Sequence, residues 1–161
     1  MPLVLIVDDV RALAEQYAYD LKRVAGYETL TATGGEEALE TIAVEPVDCV
    51  ILDLEMPGID GFEVLRRLKK DRVPVPVIVY TGTGNYDRCV QAIKLGAHGF
   101  IDKTEAMERV AREIENTLER ARLKTEVESL KHDLGSEAPL VGSSEAMRDL
   151  RDRIARVASI P

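Results

Sequence analysis

Along the first hundred residues, short unbroken apolar runs alternate with stretches whose apolar positions recur at helical spacing. Leu3-Val4-Leu5-Ile6-Val7 is apolar throughout and stops at Asp8-Asp9. Thr29-Leu30-Thr31-Ala32-Thr33 is more polar. Val47 to Leu52 stops at Asp53, Val75 to Tyr80 stops at Thr81, and Gly99-Phe100-Ile101 stops at Asp102-Lys103. Runs this short that do not alternate fit strands buried on both faces, which means a parallel sheet. Between them, Leu13, Tyr17, Leu21 and Val24 mark a helix face. So do Ala38, Leu39 and Ile42, then Phe62, Val64, Leu65 and Leu68, then Cys89, Val90, Ile93 and Leu95. Five strands alternating with helices predict an open, doubly wound α/β domain with right-handed crossovers.

The pattern then changes. Thr104 is placed to cap a helix that opens with Glu105 and meets no Gly or Pro until Gly135. Helical throughout, residues 105–134 extend roughly 45 Å, more than the ~30 Å breadth of a small domain, so this helix is expected to project. Met107, Val110, Ile114, Leu118 and Ala121 form one apolar stripe. Leu123, Val127, Leu130 and Leu134 form a second, out of phase with the first. Solvated, the second stripe would be costly, so it is read as a coiled-coil dimer seam. Residues 135–139 read as a linker. The face formed by Ala146, Leu150, Ile154, Val157 and Ala158 is too short to bury itself, and reads as the opening of a further domain. The expected organisation is a domain over 1–104, a long linker helix over 105–134, and a flexible linker with that first helix over 135–161.

Composition narrows the function. With 45% hydrophobic and 31% charged residues the chain is globular. Aromatics are 4% and Trp is absent, which argues against a stacking platform for single-stranded nucleic acid. A net charge of −8 disfavours nonspecific DNA binding, which needs clustered cations. Cys49 and Cys89 sit in apolar surroundings without metal-ligand spacing, as reduced thiols do. No stretch reaches 18 apolar residues, and Met1 to Val7 lack the charged leader of a signal peptide. The expected location is cytoplasmic.

In open α/β sheets, ligands bind beyond the carboxyl ends of the strands. The residues there are Asp8, Asp9, Asp53, Thr81, Gly82 and Lys103. Each alone has an ordinary explanation: an acid pair can be a turn, a lone Asp or Thr a cap, a lone Lys solvated. Together they place three carboxylates, a hydroxyl and an ammonium on one rim. Carboxylates so close repel one another without a cation. A hard dication with oxygen ligands resolves the repulsion, and Mg²⁺ fits a small ligand set. Asp53, alone at a strand end, is the candidate nucleophile, because carboxylates form acyl phosphates. Lys103, the Thr81 hydroxyl and nearby N–H groups would neutralise the phosphoryl oxygens.

These residues closely resemble the receiver domain of bacterial two-component response regulators. Val4 to Asp9 resembles its opening strand and acid pair, and Asp53-Leu54-Glu55-Met56-Pro57-Gly58-Ile59-Asp60-Gly61 its phosphoacceptor loop. Thr81-Gly82, Lys94-Leu95-Gly96-Ala97 and Phe100-Ile101-Asp102-Lys103 resemble the later blocks. The resemblance implies a flavodoxin-like sheet of order 2-1-3-4-5. It implies Mg²⁺ held by Asp8, Asp9, Asp53 and the backbone carbonyl of Glu55, and transfer of a phosphoryl group from a sensor histidine kinase to Asp53. It makes Thr81 and Phe100 the switch pair. The implied chain is a phosphoacceptor that assists its own phosphorylation and dephosphorylation, not an enzyme with a separate substrate. In the family a proline usually follows the lysine across a cis peptide; here Thr104 stands there. A cis bond before a non-proline costs about 2.5–4 kcal/mol, so either packing offsets that cost or the bond is trans.

The tail is similar to the opening helix of the ATPase domain of sigma-54-dependent activators, on Leu140-Val141-Gly142-Ser143-Ser144-Glu145-Ala146-Met147 and Leu150 to Ala158. That implies a longer regulator whose ATPase and DNA reader are absent from this chain, with phosphorylation controlling dimer packing through residues 105–134. Three other readings compete. A flavodoxin-like cofactor protein would bring a flavin phosphate against Asp8 and Asp9. An aspartyl phosphatase would use Glu55 as a second acid. A pseudo-receiver scaffold would never be phosphorylated.

Overall fold

The structure, a computed structural model, describes residues 1–82 and 86–137, and only the backbone of Tyr86, Thr125 and residues 128–137. Five strands, β1 (Leu3–Val7), β2 (Glu28–Ala32), β3 (Cys49–Leu52), β4 (Val77–Thr81) and β5 (Gly99–Asp102), form one parallel sheet of order β2-β1-β3-β4-β5. Between them run α1 (Arg11–Ala25), α2 (Gly35–Val44), α3 (Gly61–Lys70) and α4 (Tyr86–Lys94). After β5 comes α5 (Met107–Glu137).

The strands divide their side chains between two cores, as the twofold alternation of a strand requires. Leu5, Val7, Val50, Leu52, Val77 and Val79 pack with Phe62, Val64, Leu65 and Leu68 of α3, Ala38 of α2 and Ala92 of α4. Val4, Ile6, Ile51, Ile78 and Tyr80 pack on the other face with Ala14, Ala18 and Leu21 of α1 and Met107, Val110, Ala111 and Ile114 of α5. Three helices thus cover one face and two the other. The sheet-bearing unit extends to Leu118, because these first turns of α5 supply part of its core.

Several element ends differ from those read in the sequence. β2 is an edge strand and pairs Leu3 with Glu28, one residue earlier than its apolar run suggests. β3 begins at Cys49 rather than Val47, since the Asp48 carboxylate takes the Leu3 N–H at 2.8 Å and leaves the ladder irregular there. β4 begins at Val77, after Pro76, which has no N–H to donate. Thr104 does not cap α5. Its N–H donates to the Asp102 carboxylate at 2.9 Å in a tight turn, and the helix starts at Met107. α5 then continues through Gly135 to Glu137. The tail helix predicted within 140–161 lies outside the described residues, as do the side chains of Leu130 and Leu134.

Candidate functional site

Parallel strands carry their C-terminal residues to one edge, and the break in strand order between β1 and β3 opens a crevice there. Asp8 and Asp9 follow β1 and Asp53 follows β3. A carboxylate oxygen from each of the three lies within 4.8 Å of the others. Asp8 is 2% exposed and Asp53 6%, while Asp9 faces solvent.

Each buried acid is held at both oxygens. Asp8 Oδ1 accepts the Val10 N–H at 2.9 Å, just before α1. Asp53 Oδ1 accepts the Glu55 N–H at 3.1 Å. The remaining oxygens meet one ammonium. Lys103 Nζ lies 2.6 Å from Asp8 Oδ2 and 3.1 Å from Asp53 Oδ2. Burial raises the Asp53 carboxyl above its ordinary range; the Glu55 N–H and Lys103 offset part of that, and the Asp8 charge adds to it. Burial alone would lower the Lys103 ammonium, but its bonds to Asp8 and Asp53 outweigh this and raise it. Lys103 therefore stays charged at neutral pH.

The Lys103–Thr104 peptide is trans, so of the two possibilities left by the missing proline the chain adopts the unstrained one, and the ammonium still reaches both acids. Thr81 is buried at the end of β4, and its carbonyl accepts the Lys103 N–H at 3.0 Å. Phe100 is half exposed. With Thr81, Cys89, Ile101, Asp102, Glu105 and Arg109 it lines a cleft of about 330 Å³. Thr83, also near the rim in sequence, lies outside the described residues.

The loop from Asp53 to α3 is shaped by contacts that leave no room. An added Cβ on Gly61 would meet the Asp53 carbonyl oxygen at 2.6 Å and the Leu54 Cα at 2.7 Å. Asp60 caps α3 by accepting the Glu63 N–H at 3.0 Å. This explains Gly and Asp at those places in the loop.

Set against known proteins, residues 4–115 match the response regulator receiver domain model. The chain belongs to the response regulator receiver family. The receiver is 36% identical over 156 residues to the nitrogen assimilation regulatory protein NtrX of Azorhizobium caulinodans, covering 96% of this chain and 34% of that protein. It is 32% identical over 160 residues to the C4-dicarboxylate transport transcriptional regulatory protein DctD of Rhizobium meliloti, covering 98% and 35%. The chain thus spans about a third of the length of these relatives. Among solved structures, NtrX from Brucella abortus superposes with a TM-score of 0.75 at 36% identity, covering 97% of this chain and 34% of that one. The signal receiver domain of a LuxO-type repressor protein from Vibrio parahaemolyticus gives 0.73 at 31% identity, covering 79% and 97%. The sheet order of the receiver is the one the resemblance implied.

Three residues beside this site were not read in the sequence as belonging to it. Arg88 of α4 reaches across to Glu55, Nη1 to Oε1 2.5 Å, and lies 5.4 Å from the Phe62 ring centroid. Tyr17 and Tyr80 stack edge to face beside Lys103, centroids 5.2 Å apart. Both tyrosines sit at core periodicity, where packing accounts for them. Nothing in the spacing of Arg88 links it to Glu55, thirty-three residues away.

Proposed function

We propose that this receiver is a phosphorylation switch in which Asp53 accepts a phosphoryl group from the phosphohistidine of a sensor kinase. The observation that carries the proposal is the convergence of Asp8, Asp9 and Asp53 with a single ammonium, Lys103, on one rim. An Asp53 carboxylate oxygen attacks phosphorus. The P–N bond to the donor histidine breaks as the P–O bond forms, and the leaving imidazole takes up the negative charge or a proton. Lys103, already between Asp8 and Asp53, is placed to pair with an oxygen of the transferred group. The Thr81 hydroxyl, one strand over, would take another.

The residues fit a hard dication. Their donor set is oxygen only, from three acids within one coordination sphere's reach. Asp8, Asp9, Asp53 and the Glu55 carbonyl would hold Mg²⁺, which supplies charge neutralisation for the incoming phosphoryl oxygens. Phosphorylation adds about −1.5 to −2 charges. That charge favours inward movement of Thr81 and, with it, of Phe100, whose half-exposed ring has the cleft beside Thr81 to enter. In the longer regulator suggested by the two relatives, the change would pass through residues 105–134 to dimer packing and a sigma-54-dependent ATPase. The receiver would then take in the first turns of α5, which complete its core, instead of ending at residue 104, with 135–161 leading into that ATPase.

Incubation with acetyl phosphate and Mg²⁺, followed by intact-mass measurement, tests this directly. One added phosphoryl group is expected, absent in Asp53→Ala. A chain that gains no mass, or an Asp53→Ala variant that still gains it, overturns the assignment.

A further inference from the structure

Lys103 is a long flexible side chain, and holding its ammonium between two acids costs rotamer freedom. The structure shows what holds it. The backbone on either side of Thr104 is bound by one phenol. Tyr80 Oη lies 3.3 Å from the Lys103 carbonyl oxygen and 3.2 Å from that of Glu105. Its single proton is shared between two acceptors. On the other side of the same residue, the Lys103 N–H donates to the Thr81 carbonyl at 3.0 Å. The Lys103 backbone is thus fixed at both its N–H and its carbonyl by consecutive residues of β4. At the far end of the side chain, Nζ lies 5.9 Å from the centroid of the Tyr17 ring, within range of a cation–π attraction. Tyr17 is held in turn by its edge-to-face contact with Tyr80, interplanar angle 83°. Tyr80 itself is 3% exposed, so its hydroxyl has little water to turn to.

We infer that Tyr80 is a positioning residue for phosphoryl transfer: its hydroxyl anchors the Lys103–Thr104–Glu105 backbone and its ring braces Tyr17 beneath the Lys103 ammonium, so that the two tyrosines aim Lys103 at Asp8 and Asp53. The inference deepens the reading of Asp53 as phosphoacceptor and rests on it for its kinetic consequence. Its structural consequence does not depend on that reading.

Tyr80→Phe removes one oxygen and leaves the packing ring. Two measurements test it on the whole chain. The first is the rate of labelling of each lysine by an amine-acylating ester, read by peptide mass spectrometry. Lys103 is expected to label several-fold faster in Tyr80→Phe and in Tyr17→Leu, while Lys22, Lys69, Lys70 and Lys94 keep their wild-type rates. A general loosening of the fold would raise all of them together. The second is the rate of Asp53 phosphorylation by acetyl phosphate with saturating Mg²⁺. Loss of one hydrogen bond on the backbone that carries Lys103 is expected to slow it about three- to tenfold, with unchanged affinity for Mg²⁺. In a Lys103→Met background the same Tyr80→Phe change is expected to have no further effect. Unchanged Lys103 labelling overturns the inference. So does a Tyr80→Phe defect that persists in full without Lys103, since the hydroxyl would then act elsewhere. Selective labelling of Lys103 with no phosphorylation of the wild-type chain would instead sink the phosphoacceptor reading and leave the positioning intact.

Discussion

Burial raises the Asp53 carboxyl, and its two hydrogen-bond partners only partly compensate. Its folded value therefore exceeds its unfolded one. The associated stability is complete below the unfolded value of 3.8 and is lost as pH rises through the folded value. At neutral pH the ionised group destabilises the cation-free protein. Asp53→Asn is thus expected to melt above wild type at pH 7 without divalent cations, with the advantage shrinking as pH falls toward 4. A variant that melts lower at pH 7 would show that the bond to Lys103 outweighs burial. Arg88 sets a contrasting case. Its pair with Glu55 is 31% and 51% exposed, so solvent screening keeps it weak, and the contact with the Phe62 face adds a comparable amount. Arg88→Ala should cost about 1 kcal/mol in urea unfolding, and Glu55→Gln less, since it leaves the ring contact in place. A loss several times larger would mean that the pair organises the loop.

At the scale of elements, the entry to α3 leaves no room for a larger residue. The Gly61 N–H donates to the Leu54 carbonyl at 3.1 Å, which draws its Cα against the backbone of the Asp53 loop. Gly61→Ala should cost about 1–3 kcal/mol, by analogy with overpacked cores, and should slow phosphorylation by shifting Asp53. Gly34→Ala, where an added Cβ meets nothing within 4 Å, should lose only the preference for glycine over alanine at the N-cap of α2, about 0.5 kcal/mol. Similar melting temperatures for the two variants would refute the steric account. Much of this architecture was legible in the sequence because β1, β3 and β4 are compact apolar runs that lead straight into a polar rim residue; the edge strand β2, with Glu28, Thr29 and Thr31, carries a weaker signal. Ends were less legible, since they turn on single side-chain bonds that periodicity does not show: a distant one where the Asp48 carboxylate takes the Leu3 N–H, and a local one where the Asp102 carboxylate takes the Thr104 N–H. For the same reason Lys103 could be placed on the rim but its support could not. Tyr17 and Tyr80 obey core periodicity, and only the folded chain brings the Tyr80 hydroxyl to carbonyls more than twenty residues away.

For the molecule as a whole, a charge of −8 means that any added cation screens repulsion and could raise stability without a specific site. The rim predicts more than screening. Asp8, Asp9 and Asp53 crowd their oxygens within 4.8 Å while Lys103 supplies one positive charge. A dication bound only by the folded arrangement stabilises it by mass action, about 2.7 kcal/mol at a hundred times its dissociation constant. Spread over a cooperative unit that reaches Leu118, that is a rise of several degrees in melting temperature. Mg²⁺ should produce it, KCl of matched ionic strength should not, and Asp9→Asn should remove most of it. Asp9 is the informative position because it faces solvent and lacks the ammonium contact made by Asp8 and Asp53. Its neutralisation should disturb the rest of the rim little, so a lost response there reports on ligation. An equal response to KCl, or an undiminished one in Asp9→Asn, would mean that the acids are merely neighbours.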